Sequence, residues 1–218
     1  MPGDFPIEFA THSRDNLRQI SRQVVRVVHE RDHYCCRCCG FRSLRYQQIL
    51  NPGGNWRDPD AILTACIFCQ QCFLLDDVGD MRSGVLIAFP DIEQTELNRL
   101  AIELYVAKKS HRDRNAAERC LNFLTTKLMP VVDQFGSADP KVVVTMLRET
   151  NPEPLAQKLS GLRLLPQDRR ILHEGDLEFN QFPQILAYWR SRVGPYPTDE
   201  PSAFPLIRRF LADYLFSE

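Results

Sequence analysis

The sequence predicts an α+β fold in which a compact cysteine-rich module leads into a mainly α-helical region. Three observations carry this reading. Seven of the eight cysteines lie between Arg31 and Cys72, in the runs Tyr34-Cys35-Cys36-Arg37-Cys38-Cys39-Gly40 and Cys66-Ile67-Phe68-Cys69-Gln70-Gln71-Cys72. The chain around them has short apolar runs broken by turn residues such as Asn51-Pro-Gly-Gly-Asn. Past Pro90 the apolar residues recur at helical spacing instead.

Residues 1–14 are expected as a poorly ordered lead-in. Leu17, Ile20, Val24, Val27 and Val28 predict a helix from about Asp15, a suitable N-cap, to Asp32. Tyr46–Leu50 and Val85–Phe89 read as strands. Asp91 caps the next helix, with Gln94 placed to reach back in a capping box; Leu97, Leu100, Ala101, Leu104 and Ala107 share its face. A further helix is expected over Ala116–Phe135, kinked or cut short by Pro130. Residues 137–150, 154–162 and 178–193 are further helical candidates. Residues 194–205 carry four prolines and should be extended. Leu206, Phe210, Leu211 and Leu215 mark an amphipathic last segment. The divisions are a lead-in over 1–14, the module over 15–90, a helical region packed on it over 91–193, and a Pro-rich segment with a terminal helix over 194–218, all read as one continuous unit.

A chain of 218 residues with 44% hydrophobic and 25% charged content has the composition of an ordinary globular protein. Its net charge is −1, and residues 1–90 balance ten Arg and no Lys against ten Asp plus Glu, so nothing in the overall charge favours a phosphate backbone. The start lacks the basic and apolar regions of a secretory signal. Val85–Phe89, the longest apolar run, is far too short for a membrane span. A cytoplasmic setting with no direct membrane insertion is expected, where clustered cysteines stay reduced and read as metal ligands.

Two C-x-x-C pairs separated by 26 residues point to one tetrahedral metal site. Each cluster offers two registers. The residue after the second cysteine of a knuckle often takes positive φ, which glycine does without steric cost; Gly40 therefore selects Cys36 and Cys39 over Cys35 and Cys38. Cys66 and Cys69 fall on the expected first turn of a helix, where the dipole favours thiolate. Cys72, one turn on, is their serious competitor. Four thiolates leave no open position, so Cys36, Cys39, Cys66 and Cys69 predict one structural Zn²⁺ that contributes folding free energy on the order of 10 kcal/mol. Cys35, Cys38 and Cys72 are read as bystanders and Cys120 as core. His29 and His33 are read as a helix end, where imidazolium favours the C-terminal dipole.

The order Arg31-Asp32-x-x-x-Cys36-x-x-Cys39-Gly40, a Gly53-Gly54 turn, then Asp58-Pro59-x-x-x-Leu63-Thr64-x-Cys66-x-x-Cys69 resembles the HNH nuclease module. That resemblance implies a treble-clef or ββα-type shape, with the zinc beside a catalytic metal site. The catalytic positions it implies fall on Gln48, Ala61 and Gln70, none of which matches. Glutamine does not titrate and cannot activate water as imidazole does. The HNH-like shape is expected without its catalysis.

A closer resemblance covers most of the chain. Cys36-x-x-Cys39-Gly40-Phe41, Thr64-Ala65-Cys66-x-Phe68-Cys69-x-Gln71-Cys72-Phe73, Leu86-Ile-x-x-Pro90-x-Ile92-x-Gln94-x-Glu96-Leu97-Asn98 and Arg163-Leu-Leu-Pro166 are similar to the IcmJ/DotN family. The resemblance implies a non-catalytic subunit of the coupling complex of a type IVB (Dot/Icm-type) secretion system or related conjugation machine. It implies binding to the cytoplasmic C-terminal tail of the coupling ATPase, peripheral to the inner membrane, alongside small acidic adaptor proteins. Past about residue 165 the resemblance thins.

Two other readings compete. An HNH-type endonuclease would need a rebuilt metal site, for which Asp58, Asp60, Asp76 and Asp77 are candidates. A zinc-module nucleic-acid binder would use Lys108-Lys109-Ser-His-Arg112-x-Arg114. For the adaptor, Phe182, Tyr188, Trp189, Tyr196, Phe204, Phe210 and Tyr214 are either partner anchors or a second small core.

Overall fold

The first helix, α1 (Arg22–Arg31), begins where the Ser21 hydroxyl accepts a hydrogen bond from the Val24 N–H. The computed structural model describes residues 6–12, 20–53, 56, 58–150, 154–198 and 204–216. Asp15 and Leu17 lie outside these, as do Gly54 and Asn55 of the predicted turn and Pro201. Val28 turns inward against Ile49 and Ile62, whereas Val27 faces solvent. The helix ends at Asp32, whose buried carboxylate accepts from the Thr64 N–H (2.7 Å) and from the Arg31 Nε (3.0 Å). Arg31 also donates to the Ile62 carbonyl, so this dipeptide fastens the helix end to the strand that follows.

That strand, β2 (Leu63–Ala65), pairs antiparallel with β1 (Gln48–Leu50), Ile49 opposite Thr64. The predicted strand start at Tyr46 is two residues early, because Tyr46 sits at φ +63° and turns the chain. Two short helices follow, α2 (Ile67–Gln71) and α3 (Leu75–Met81). Residues 6–12 correct the expected loose lead-in. The Ala10 and His12 N–H groups donate to the Cys72 and Phe73 carbonyls, and the Leu75 N–H donates to Ala10. The irregular stretch between α2 and α3 has buried backbone groups to satisfy, and this segment satisfies them.

Next, β3 (Gly84–Ala88) pairs antiparallel with β4 (Leu162–Pro166), Leu86 opposite Leu164. Between them run α4 (Gln94–Ala107), α5 (Arg114–Thr126), α6 (Met129–Phe135), α7 (Pro140–Thr150) and α8 (Leu155–Lys158). The helix predicted over 116–135 is two helices, because Pro130 starts a new first turn and cannot donate into the previous one. The helix predicted over 154–162 is one turn long, and β4 takes over the buried apolar run that follows. β5 (Ile171–Glu174) and β6 (Leu177–Asn180) form a hairpin through Gly175 at φ +58°. Only then does α9 (Phe182–Trp189) begin, correcting the helix expected over 178–193, with Asn180 Oδ1 accepting from the Phe182 N–H. The chain does not extend over 194–198, since Tyr196 N–H folds back onto the Trp189 carbonyl. The last helix is α10 (Pro205–Tyr214). Among the described residues, no helix is long and apolar enough to cross a membrane.

Two buried polar side chains on α4 organise this half. The predicted capping box is absent: Glu93 is the N-cap, with no side-chain bond. Gln94 points inward instead. Its Nε2 donates to the Leu164 carbonyl (2.8 Å) and its Oε1 accepts from the Leu164 N–H (2.7 Å), replacing a strand partner for β4. Glu103, also buried, accepts from the Leu206 and Ile207 N–H groups and so caps α10 from outside its own chain segment.

Among the described residues the main apolar core runs from Cys36 to Phe210, beside the smaller cluster of Val28, Ile49 and Ile62. Phe41 meets Trp189 edge-on at 5.3 Å, and Phe68 stacks on Phe182 at 6.0 Å. Phe182, Trp189, Phe204 and Phe210 are buried in it, and Tyr188, Tyr196 and Tyr214 pack against it. The late aromatics thus belong to the main core, not to a second one. The reason is physical: the cysteine module is too small to cover its own apolar side, and α9 supplies the cover.

Candidate metal centre

Each cysteine pair is set by a tight backbone turn. In the first, the Cys39 N–H points at the Cys36 Sγ (3.5 Å) and the Gly40 N–H donates to the Cys36 carbonyl, which needs Gly40 at φ +73°. In the second, Cys66 is the N-cap of α2 and its Sγ accepts from the Cys69 N–H at 3.4 Å. The turns face each other across the end of the β1–β2 pair. Cys39 Sγ lies 3.7 Å from Cys66 Sγ, and the four sulfurs of Cys36, Cys39, Cys66 and Cys69 all lie within 4.8 Å of one another. A tetrahedron of metal–sulfur bonds of about 2.3 Å has edges of about 3.8 Å, so the sulfurs fit a closed four-thiolate site. Cys36, Cys66 and Cys69 are buried and Cys39 partly so.

The electrostatics point the same way. Burial pushes the Cys39 and Cys69 thiols well up. Burial opposes ionisation of Cys36 too, but hydrogen bonds from Cys38, Cys39, Cys66 and Cys69 hold it well below the usual thiol range. Burial thus opposes thiolate at Cys39 and Cys69, a cost that a dication bound between the sulfurs would offset.

α4 braces the centre from outside. Asn98, fully buried, donates to the Cys69 Sγ (3.4 Å), the Cys72 Sγ (3.7 Å) and the Phe68 carbonyl (3.3 Å), while its Oδ1 accepts from Gln94 (2.9 Å). Arg99 Nη1 donates to the Cys39 carbonyl at 3.0 Å. One helix thus holds both knuckles. Cys72 stands outside the four-sulfur group, its thiol donating to the Phe68 carbonyl, and burial pushes it up. Cys38 is buried beside Cys36 and Cys69, and its hydrogen bond with Cys36 raises it. Cys35 bridges to Arg42, and Cys120 lies in the core.

His29 corrects the helix-dipole reading. It lies in the last turn of α1 as expected, but burial lowers its pKa and so disfavours the imidazolium that the dipole reading invoked, and Nδ1 lies 3.0 Å from the Thr64 hydroxyl. His33 lies past the helix at φ +53°. At the positions matched to nuclease catalysis, Gln48 bonds the Tyr46 and Gln47 carbonyls, Ala61 ends a 3₁₀ turn, and buried Gln70 donates to the Ile49 carbonyl at 2.9 Å. Asp58 caps the Asp60 N–H, and Asp76 pairs with Arg148. Among the described residues the four aspartates do not come together as a metal-binding group.

Sequence reasoning missed Asn98, Gln94 and Asp32 as supports. The available signal was Gln94 and Asn98, four apart on the α4 face that carries Leu97 and Ala101: amides on a buried stripe need partners.

No protein-family model matches the chain. It is 32% identical over 149 residues to the type 4 apparatus protein DotN of Legionella pneumophila, an alignment spanning 64% of this chain and 70% of the relative. A match of that identity over that share of the relative places the chain that carries this four-sulfur centre: it belongs to the DotN (IcmJ) family of the Dot/Icm type IV secretion system.

Proposed function

We propose that the chain is a non-catalytic adaptor of a type IVB secretion (or related conjugation) coupling complex, gripping the cytoplasmic C-terminal tail of the coupling ATPase. One structural Zn²⁺ sits between Cys36, Cys39, Cys66 and Cys69. The observation that carries the non-catalytic, metal-structured part of this reading is the sulfur set itself. Four thiolates fill a tetrahedral ion and leave no place for water or substrate, so the ion acts on folding. The likeness to a type 4 apparatus protein supports the setting. The small acidic adaptors of such systems are the further partners, and the complex holds the chain against the inner membrane.

The module is read as HNH-like: the order knuckle, β1, β2, α2 supports a ββα-type shape. Gln70 occupies a histidine position of that shape but is spent on holding β1, which supports loss of the chemistry. We read residues 15–90 and 91–193 as one unit; the packing of Tyr196, Phe204, Ile207 and Phe210 in the same core supports counting the described part of 194–218 with it.

The test is affinity purification from detergent-solubilised cells, with the retained chains identified by mass spectrometry. Recovery of the coupling ATPase, lost when its C-terminal tail is deleted, is the expected result. Zinc-loaded protein that retains no ATPase and cleaves DNA with Mg²⁺ or Mn²⁺ would return the chain to the nucleases.

A further inference from the structure

The β5–β6 hairpin carries a strand edge that the fold leaves unused. Its register sets Ile171 opposite Asn180, Leu172 opposite Phe179, His173 opposite Glu178 and Glu174 opposite Leu177. Bonded and non-bonded pairs alternate along such a ladder. The Gln181 N–H donates to the Arg170 carbonyl at 2.9 Å, which fixes the phase. Leu177 and Phe179 therefore bond back to β5, and the backbone N–H and C=O groups of Glu178 and Asn180 point outward. Among the described residues no other strand pairs with β6, and all four of its residues are exposed.

Soluble proteins commonly blunt a free edge with lysine, proline or a bulge. β6 has none of these. Its one charge, Glu178, lies 3.5 Å from Arg82 Nη1, and its register is unbroken. Leu177 and Phe179 share a face and are 71% and 38% exposed. A two-stranded hairpin with an apolar face open to water is marginal by itself, and added strands stabilise it.

Charge and geometry together select what completes this edge. Two copies of β6 can pair antiparallel about a two-fold axis through the outward groups of Glu178 and Asn180. Glu178 opposite its own copy would set two carboxylates together, which is destabilising. Asn180 opposite its own copy would place Glu178 against Phe182, already in α9 and no longer strand. The register centred on Phe179 has neither fault. Each Glu178 faces the Asn180 of the other copy, giving four backbone hydrogen bonds without like charges in opposition. Phe179 then meets its own copy at a non-bonded position, where cross-strand side chains come closest.

We propose that β6 is a self-association edge, through which two copies of the chain pair antiparallel about Phe179 into one four-stranded sheet, β5-β6-β6-β5. The paired sheet joins the exposed Leu177 and Phe179 of both copies on one face. Strands of four residues make a small interface, so the association is weak and concentration-dependent. The assignment stands apart from the adaptor reading.

Sedimentation velocity of the zinc-loaded full chain, over about a hundredfold range of concentration, reads the association. The parent is expected to move from monomer toward dimer as concentration rises. Glu178→Pro removes an outward N–H that the hairpin itself does not use, and Phe179→Lys sets two ammonium groups face to face. Each should weaken association about tenfold or more, with circular dichroism and zinc content confirming the fold. The register has its own readout. Phe179→Cys should cross-link to its own copy under mild oxidation, located by mass spectrometry of the joined peptides. Leu177→Cys should not, because it lies about 14 Å along the strand from its copy, beyond disulfide reach. A parent that stays monomeric throughout, or a dimer that survives both Glu178→Pro and Phe179→Lys, would overturn the proposal. Cross-linking through position 177 in place of 179 would overturn the register. Protection of the Glu178 and Asn180 amides from hydrogen exchange only in a complex with a different chain would give the edge to that chain, and the proposal fails.

Discussion

Asn98→Ala isolates the contribution of α4 to the metal centre. Asn98 has no exposed surface and spends its amide on two sulfurs and a carbonyl while receiving a bond from Gln94. Truncation removes the N–H donors that stabilise charge on Cys69 and strands buried groups without partners, at about 1–3 kcal/mol. Losing such an outer partner typically weakens a metal site about 10–100-fold, or about 1.4–2.7 kcal/mol. Two readouts separate the effects. Competition against a chromophoric zinc chelator reports the affinity, and urea unfolding of the metal-loaded protein reports the stability. Asn98→Leu fills the space without donating, so it should lose affinity as the alanine does while losing less stability. Asn98→Asp aims a carboxylate at the thiolates and should be the most damaging. An Asn98→Ala protein that held zinc within twofold of the parent would refute the idea that α4 tunes the site.

Four further outcomes are expected. Cys36→Ser and Cys69→Ser should release the metal and most of the soluble yield, whereas Cys35→Ser should keep one ion per chain by elemental analysis; the opposite order would move the register. Gly40→Ala forces a side chain into φ +73° and should cost about 1 kcal/mol or more in urea unfolding, with weaker metal retention. Asp32 is opposed by its burial but held below its ordinary 3.8 by hydrogen bonds from Arg31 and Thr64. A depressed carboxylate stabilises fully above the unfolded value and loses that contribution as pH falls through the folded one, so Asp32→Asn should flatten the stability profile below about pH 4. Glu103 is raised above 4.5 by burial, so its native form binds more protons and stability declines as pH climbs through that window. Glu103→Gln should remove the decline and still cap α10, while Glu103→Ala should lose about 1 kcal/mol of cap, read by thermal unfolding from pH 4 to pH 8.

What was legible in the sequence was chemistry tied to spacing. The C-x-x-C pairs, Gly40 after the second cysteine, and the apolar stripe of α4 announce themselves locally, and these residues converge as four sulfurs beside a helix. Non-local pairing was not legible. β4 reads as the tail of a helix because a short continuous apolar run has no distinguishing period, and its strand character comes from β3, about 75 residues earlier. The β5–β6 hairpin is exposed on most of its surface, so alternation gave no sign of it. Gln94 shows the same limit in one residue. Its place three residues after Asp91 suggested a cap, and only the approach of Leu164 turns the amide inward. The HNH-like positions were readable as a mismatch, but not the uses that replace it, such as Gln70 holding β1.

The central claim is that four cysteines close around one metal ion on which the rest of the fold is built. Native mass spectrometry of the purified full chain, with and without prior thiol alkylation, tests it most directly. The account predicts one zinc per folded chain, with Cys36, Cys39, Cys66 and Cys69 protected from alkylation until the metal is chelated and the compact charge-state envelope is lost with it. A compact, metal-free chain whose four thiols alkylate without unfolding would contradict it.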